Sequence, residues 1–143
     1  MSEVDSVGTA DTVDGPGAVV EVRTSATASL IPTLRAVASD LAARADFDLD
    51  AISDLRMAVD EACATLVDVA APDSALRCAF SVHGGVIEVE AQVETSGPDS
   101  TVSTDTFGWR VLQTLADEVE LRGDGGRAIA IRLTKRAADP AQR

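Results

Sequence analysis

From Ala18 the chain begins to alternate: AVVEVR sets apolar side chains at every second position, the period of a half-buried strand. TSATAS then offers several hydroxyls able to cap a helix, and SLIPTLRAVASDLAARA repeats Leu30, Leu34, Val37 and Leu41 at steps of three and four. Pro32 fits the first turn of that helix, where its missing N–H costs nothing. After FDLDAIS a second helix carries Ile52, Leu55, Val59, Ala62, Leu66 and Val69 as one apolar stripe, and it stops near AAPDS. LRCAFSV and VIEVEAQV alternate on either side of HGG, which predicts a hairpin whose glycines supply the turn.

ETSGPDSTVSTDT follows without periodicity, more than ten small and polar residues of the kind that form a functional loop, a lid or a disordered segment. FGWRVLQTLAD resumes helical spacing through Val111, Leu112 and Leu115. EVELRGDGGRAIAIRLTKR then reads as two strands around a GDGG turn, with Ile129, Ile131 and Leu133 facing inward. The order strand, two helices, two strands, loop, helix, two strands predicts an α/β two-layer sandwich: a mixed, mostly antiparallel sheet with helices on one face. Residues 1–17, rich in Ser, Thr, Asp and Gly, and 137–143 read as flexible tails around one domain at 18–136.

The length, 143 residues, suits one core, and a hydrophobic share of 45% suits a soluble globular protein. Charge changes the picture more. With 24 acidic against 12 basic residues the formal net charge is −12, which repels phosphate backbones and anionic lipid, so direct nucleic-acid or membrane binding is not expected. Such a domain suits a basic protein partner, whose encounter a complementary field accelerates. The two cysteines, Cys63 in the second helix and Cys78 in a strand, form no CxxC and read as buried thiols in a reducing compartment, with a regulatory disulfide left open. The N-terminus has no basic region followed by an apolar one, and no apolar run approaches a membrane span; the expected location is the cytoplasm.

Within the second helix, DLRMAVDEACATL stacks a carboxylate and a hydroxyl one turn apart, Glu61 and Thr65. On the residues alone Glu61 reads as a solvated helix carboxylate. Asp54, Asp60 and Asp68 point to different sides of the helix and also read as solvated charge, His83 as a surface residue of the hairpin turn, and Trp109 as packing beneath the third helix.

DLRMAVDEACATL, together with the ending FGWRVLQTLADEVELRGDGGRAIAIRLTKR, resembles the anti-sigma factor serine kinases of the RsbW and SpoIIAB kind, in the GHKL ATPase superfamily with its Bergerat-type fold. The resemblance runs over about residues 18–136. It implies ATP and magnesium as cofactors, Glu61 as general base, and Thr65 at the position of the family's magnesium-ligating Asn. Of the glycine segments it leaves Gly97 and Gly108 as nucleotide-binding positions. Val93, or Glu94 if the strand is slid by one, stands where the family has an adenine-binding Asp, and Phe107 and Trp109 are expected to crowd the phosphate cradle. Residues 94–106 correspond to the ATP lid.

A nucleotide apparatus eroded at three points implies an anti-sigma factor with weak or lost ATP binding. It would sequester an alternative sigma factor of a bacterial stress response and be released by a STAS-type anti-anti-sigma antagonist; homodimers are a family habit. Two alternatives stand beside it: an active serine kinase acting on that antagonist, and a generic α/β interaction module.

Overall fold

A computed structural model of the chain describes residues 17–123 and 127–138. The elements run β1 (Ala18–Ser25), a 3-10 turn (Ala28–Leu30), α1 (Ile31–Arg44), α2 (Leu49–Val69), β2 (Ala75–His83), β3 (Val86–Glu94), α3 (Phe107–Leu115), β4 (Glu118–Gly123) and β5 (Ala128–Arg136). The tails expected at 1–17 and 137–143 and the GDGG turn fall largely outside the described residues, which include only Gly17, Gly123, Ala137 and Ala138 of them. Ala137 still pairs, its amide donating to the Gly85 carbonyl at 2.8 Å.

Local chemistry sets the ends of these elements. Pro32 lies in the first turn of α1. Asp48 caps α2, its carboxylate accepting the Ala51 amide at 2.9 Å and so satisfying one of the orphan donors of that terminus. The β2–β3 hairpin closes on Gly84 and Gly85 at φ 57° and 76°, a left-handed pair that a side chain would strain and that matches the twist of the flanking strands.

The strands form one sheet in the order β1-β2-β3-β5-β4, antiparallel in every pairing. The two-layer sandwich is as expected, but among the described residues its sheet has no parallel ladder. β3 and β4 do run the same way, linked through α3; β5 turns back from β4 and inserts between them, so the parallel relation never becomes a pairing. One row across the sheet, Val20, Phe80, Val89, Leu133 and Val119, faces the helices. Its centre is sealed against Leu34, Leu55, Leu66 and Leu112, all essentially unexposed.

The neighbouring row, Glu21, Ala79, Glu90, Arg132 and Glu120, faces away from the helices. Arg132 donates to Glu88 at 3.0 Å and Arg136 to Glu118 at 2.8 Å on this side. The bond to Glu88 holds the Arg132 guanidinium still further above its usual range. Such exposed pairs add little stability, and they keep an uncovered sheet face hydrated.

Candidate functional site

Glu61 and Thr65 lie one turn apart on α2, both half-buried. The Thr65 hydroxyl donates to the Glu61 backbone carbonyl at 2.8 Å, the bond a helical threonine readily makes to the turn before it. Glu61 Oε2 is 3.5 Å from the same hydroxyl, at the outer limit of a hydrogen bond. The stacking read from the sequence is therefore real, and the Thr65 proton is committed to its own helix.

Across from this pair stands the start of α3. Thr106 caps it, its hydroxyl oxygen accepting the Trp109 amide at 3.0 Å. Gly108 is the second residue of the helix, and a Cβ built there would stand 2.5 Å from Glu61 Oε2. The Glu61 carboxylate thus lies against the first turn of α3, where amide hydrogens point outward and the positive end of the helix favours an anion. Glu61 and Gly108, expected in one site, meet directly.

Phe107 and Trp109 do not crowd this place. Successive helical residues point about 100° apart, so the two stand to either side of Gly108: Trp109 turns into the core at 6% exposure and Phe107 to solvent at 81%. Gly108→Ala is expected to change the unfolding free energy by less than about 1 kcal/mol, because the end of a flexible glutamate can swing aside and alanine favours helix. A larger loss in urea unfolding would mean that the carboxylate is held in place.

Gly97 follows β3 in open space, its carbonyl accepting the Ser100 amide at 3.0 Å, and no described contact brings it to Glu61 or Thr65. Val93 is buried at 1% and pairs with Ile129 on the helix side of the sheet. Glu94, the alternative adenine residue, is exposed and lines a shallow hollow at the end of the opposite face with Arg23, Asp73 and Arg77. Strand alternation puts 93 and 94 on opposite faces, so sliding the alignment by one exchanges a core residue for one on the wrong side.

Two of the ion pairs that the sequence does not reveal anchor α2. Lys135 Nζ donates to the Leu115 carbonyl at 2.9 Å and to Asp54 Oδ2 at 3.3 Å, tying β5, α2 and the end of α3 together. Arg35 of α1 meets Asp60 of α2 at 3.2 Å. Asp54 and Asp60 are therefore half-buried partners and not the solvated charges expected; their cations lie 81 and 25 residues away, beyond any helical spacing rule. Asp68 and His83 are exposed as expected. Among the described residues no group of three or more His, Cys, Asp or Glu is arranged to hold a metal ion.

A helix pair carrying an acidic motif, laid with a shorter capped helix on a five-stranded sheet, is the frame of a known class. The family model for the histidine kinase-like ATPase domain matches residues 24–134, and the chain belongs to that family. Within it the likeness is to RsbW proteins. The anti-sigma-F factor RsbW of Mycobacterium tuberculosis is 35% identical over 125 residues, covering 83% of this chain and 74% of the relative. The serine-protein kinase RsbW of Bacillus pumilus is 27% identical over 143 residues, covering 85% and 86%. In fold, the chain superposes with a TM-score of 0.69 and 21% identity on the crystal structure of the RsbU and RsbW domains of a Mycobacterium tuberculosis protein. It spans 88% of itself but only 34% of that longer chain. Among the described residues no helix is long and apolar enough to cross a membrane.

Proposed function

We propose that the protein is a cytoplasmic anti-sigma factor, one domain over 18–136, that holds an alternative sigma factor away from RNA polymerase without help from nucleotide. A STAS-type antagonist competing for an overlapping surface would release it. The observation that carries the nucleotide half of this reading is the Glu61 carboxylate lying against Gly108, at the turn of α3 where a phosphate would need the bare amides. The partner half rests on the likeness to the anti-sigma-F factor RsbW and on a net charge of −12, suited to a basic partner.

ATP and magnesium, the cofactors the family implies, do not fit the residues present. A valine buried in the core replaces the adenine carboxylate, and the Thr65 hydroxyl, bonded to its own helix, replaces an amide oxygen as metal ligand. No catalytic step is assigned to the chain. Glu61 keeps the position of a general base, and the likeness to a serine-protein kinase makes phosphorylation of the antagonist the second reading.

The test is titration of the purified chain with each alternative sigma factor of its host, alone and with magnesium-ATP or magnesium-ADP. The expected result is tight binding to one of them, with a Kd that nucleotide changes by less than about twofold, a difference below 0.5 kcal/mol. Association should slow as salt is raised, since the steering field is screened beyond about 10 Å at 0.1 M. Micromolar ATP binding, with phosphate transfer to the antagonist that Glu61→Ala abolishes, would replace this reading by the kinase. Failure to retain any sigma factor would favour the generic interaction module.

A further inference from the structure

Arg23 of β1 and Arg77 of β2 are direct cross-strand partners on the face of the sheet turned away from the helices, and Gln92 of β3 continues their row. Both arginines are exposed. Like charges set opposite each other on a sheet destabilise it. Acids outnumber bases 24 to 12 in this chain, and Arg35, Arg44, Arg110, Arg122, Arg132 and Arg136 each stand 3.8 Å or less from a carboxylate. Arg23 and Arg77 stand outside these pairs: among the described residues neither is bonded to a carboxylate.

The next row of the sheet has the opposite sign. Ala79 lies there between Glu21 and Glu90, and its small side chain floors an open hollow of about 610 Å³. Glu21 and Glu90 wall it on one side, Arg23, Arg77 and Gln92 on the other. The two rows are two residues apart on each strand, roughly 6–7 Å.

We propose that this hollow binds an extended segment of a protein partner that carries an acid and, two residues away, a base. The partner's carboxylate accepts from the two guanidinium forks, a planar arrangement suited to carboxylate oxygens, with the Gln92 amide as a further donor. Its ammonium or guanidinium lies over Ala79 between Glu21 and Glu90. An extended chain repeats every two residues, as the rows do, so both charges reach the same face together. A dense polyanion is turned away by the two glutamates and by the net charge of −12. The inference is independent of the sigma-factor reading, and its test needs no sigma factor.

The isotope-labelled full chain is titrated, with its amide spectrum as readout, with a nonapeptide of threonine and valine carrying one glutamate and, two residues on, one lysine. The expected result is a saturable, submillimolar response confined to the strand segments around Arg23, Arg77 and Glu90. Arg23→Gln and Arg77→Gln, both at exposed positions, should each weaken binding about tenfold while the remaining spectrum is kept. Arg77→Lys, which keeps the charge and loses the fork, should fall between. A control peptide with the two charges adjacent, and so on opposite sides of an extended chain, should bind about tenfold more weakly than the first. The proposal is overturned if the first peptide leaves these signals unmoved or the control binds as well. It is also overturned if inorganic phosphate alone reproduces the response at equal concentration, or if the same signals shift with protein concentration before any peptide is added, since a free anion or a second copy of the chain would then be the occupant.

Discussion

Leu66→Ala is expected to remove about 2–5 kcal/mol of unfolding free energy, a large share of the roughly 5–15 kcal/mol that keeps a domain folded. Leu66 is wholly buried on α2, beside Thr65 and one turn beyond Ala62, where helix and sheet close on each other. Truncation there leaves a cavity that neither a long helix nor a central strand can collapse to fill, so the cost combines lost transfer energy with unfilled space. Urea unfolding followed by Trp109 emission measures it, with Leu66→Met, expected to lose less than about 1.5 kcal/mol, as the volume-conserving control. A loss below about 1 kcal/mol for the alanine variant would contradict the packing of α2 described above.

Lys135→Met should cost about 1–3 kcal/mol although it leaves an apolar stem of similar shape. The side chain is only 13% exposed, and its ammonium serves two acceptors that no neighbour in sequence supplies, the Leu115 carbonyl at the end of α3 and Asp54 on α2. Without it a partly buried carboxylate and a helix-end carbonyl both lose their donor. The same unfolding assay, extended to Asp54→Ala and the double variant, isolates the pair: coupling of at least about 0.5 kcal/mol is expected. Additive single losses would reduce Lys135 to a packing residue. Because α3 also carries Gly108, loosening its far end should be visible as a shift in Trp109 emission before the fold is lost.

The chain's own pattern was enough for the elements. Period-two alternation located β2, β3 and β5, steps of three and four located α1, α2 and α3, and HGG located the hairpin, because each of these signals is local and repeated. The candidate site was half legible by the same reasoning. Glu61 over Thr65 follows from helical geometry, and the buried state of Trp109 from its chemistry. What one residue does to its sequence neighbours can be read along the chain.

Everything that depended on two distant segments was decided by the fold. The contact between Glu61 and Gly108, the clamp of Lys135 on Asp54 and the Arg35–Asp60 pair all join elements that the sequence leaves unrelated. The insertion of β5 between β3 and β4 belongs here too, since alternation says that a strand has a buried face but not which strand lies beside it. By itself the sequence determined helices, strands, an acidic surface and a carboxylate–hydroxyl pair, which rest on periodicity and composition. The tertiary structure alone decided that the carboxylate is turned against the chain's own third helix, because that placement needs the sheet to bring α2 and α3 side by side.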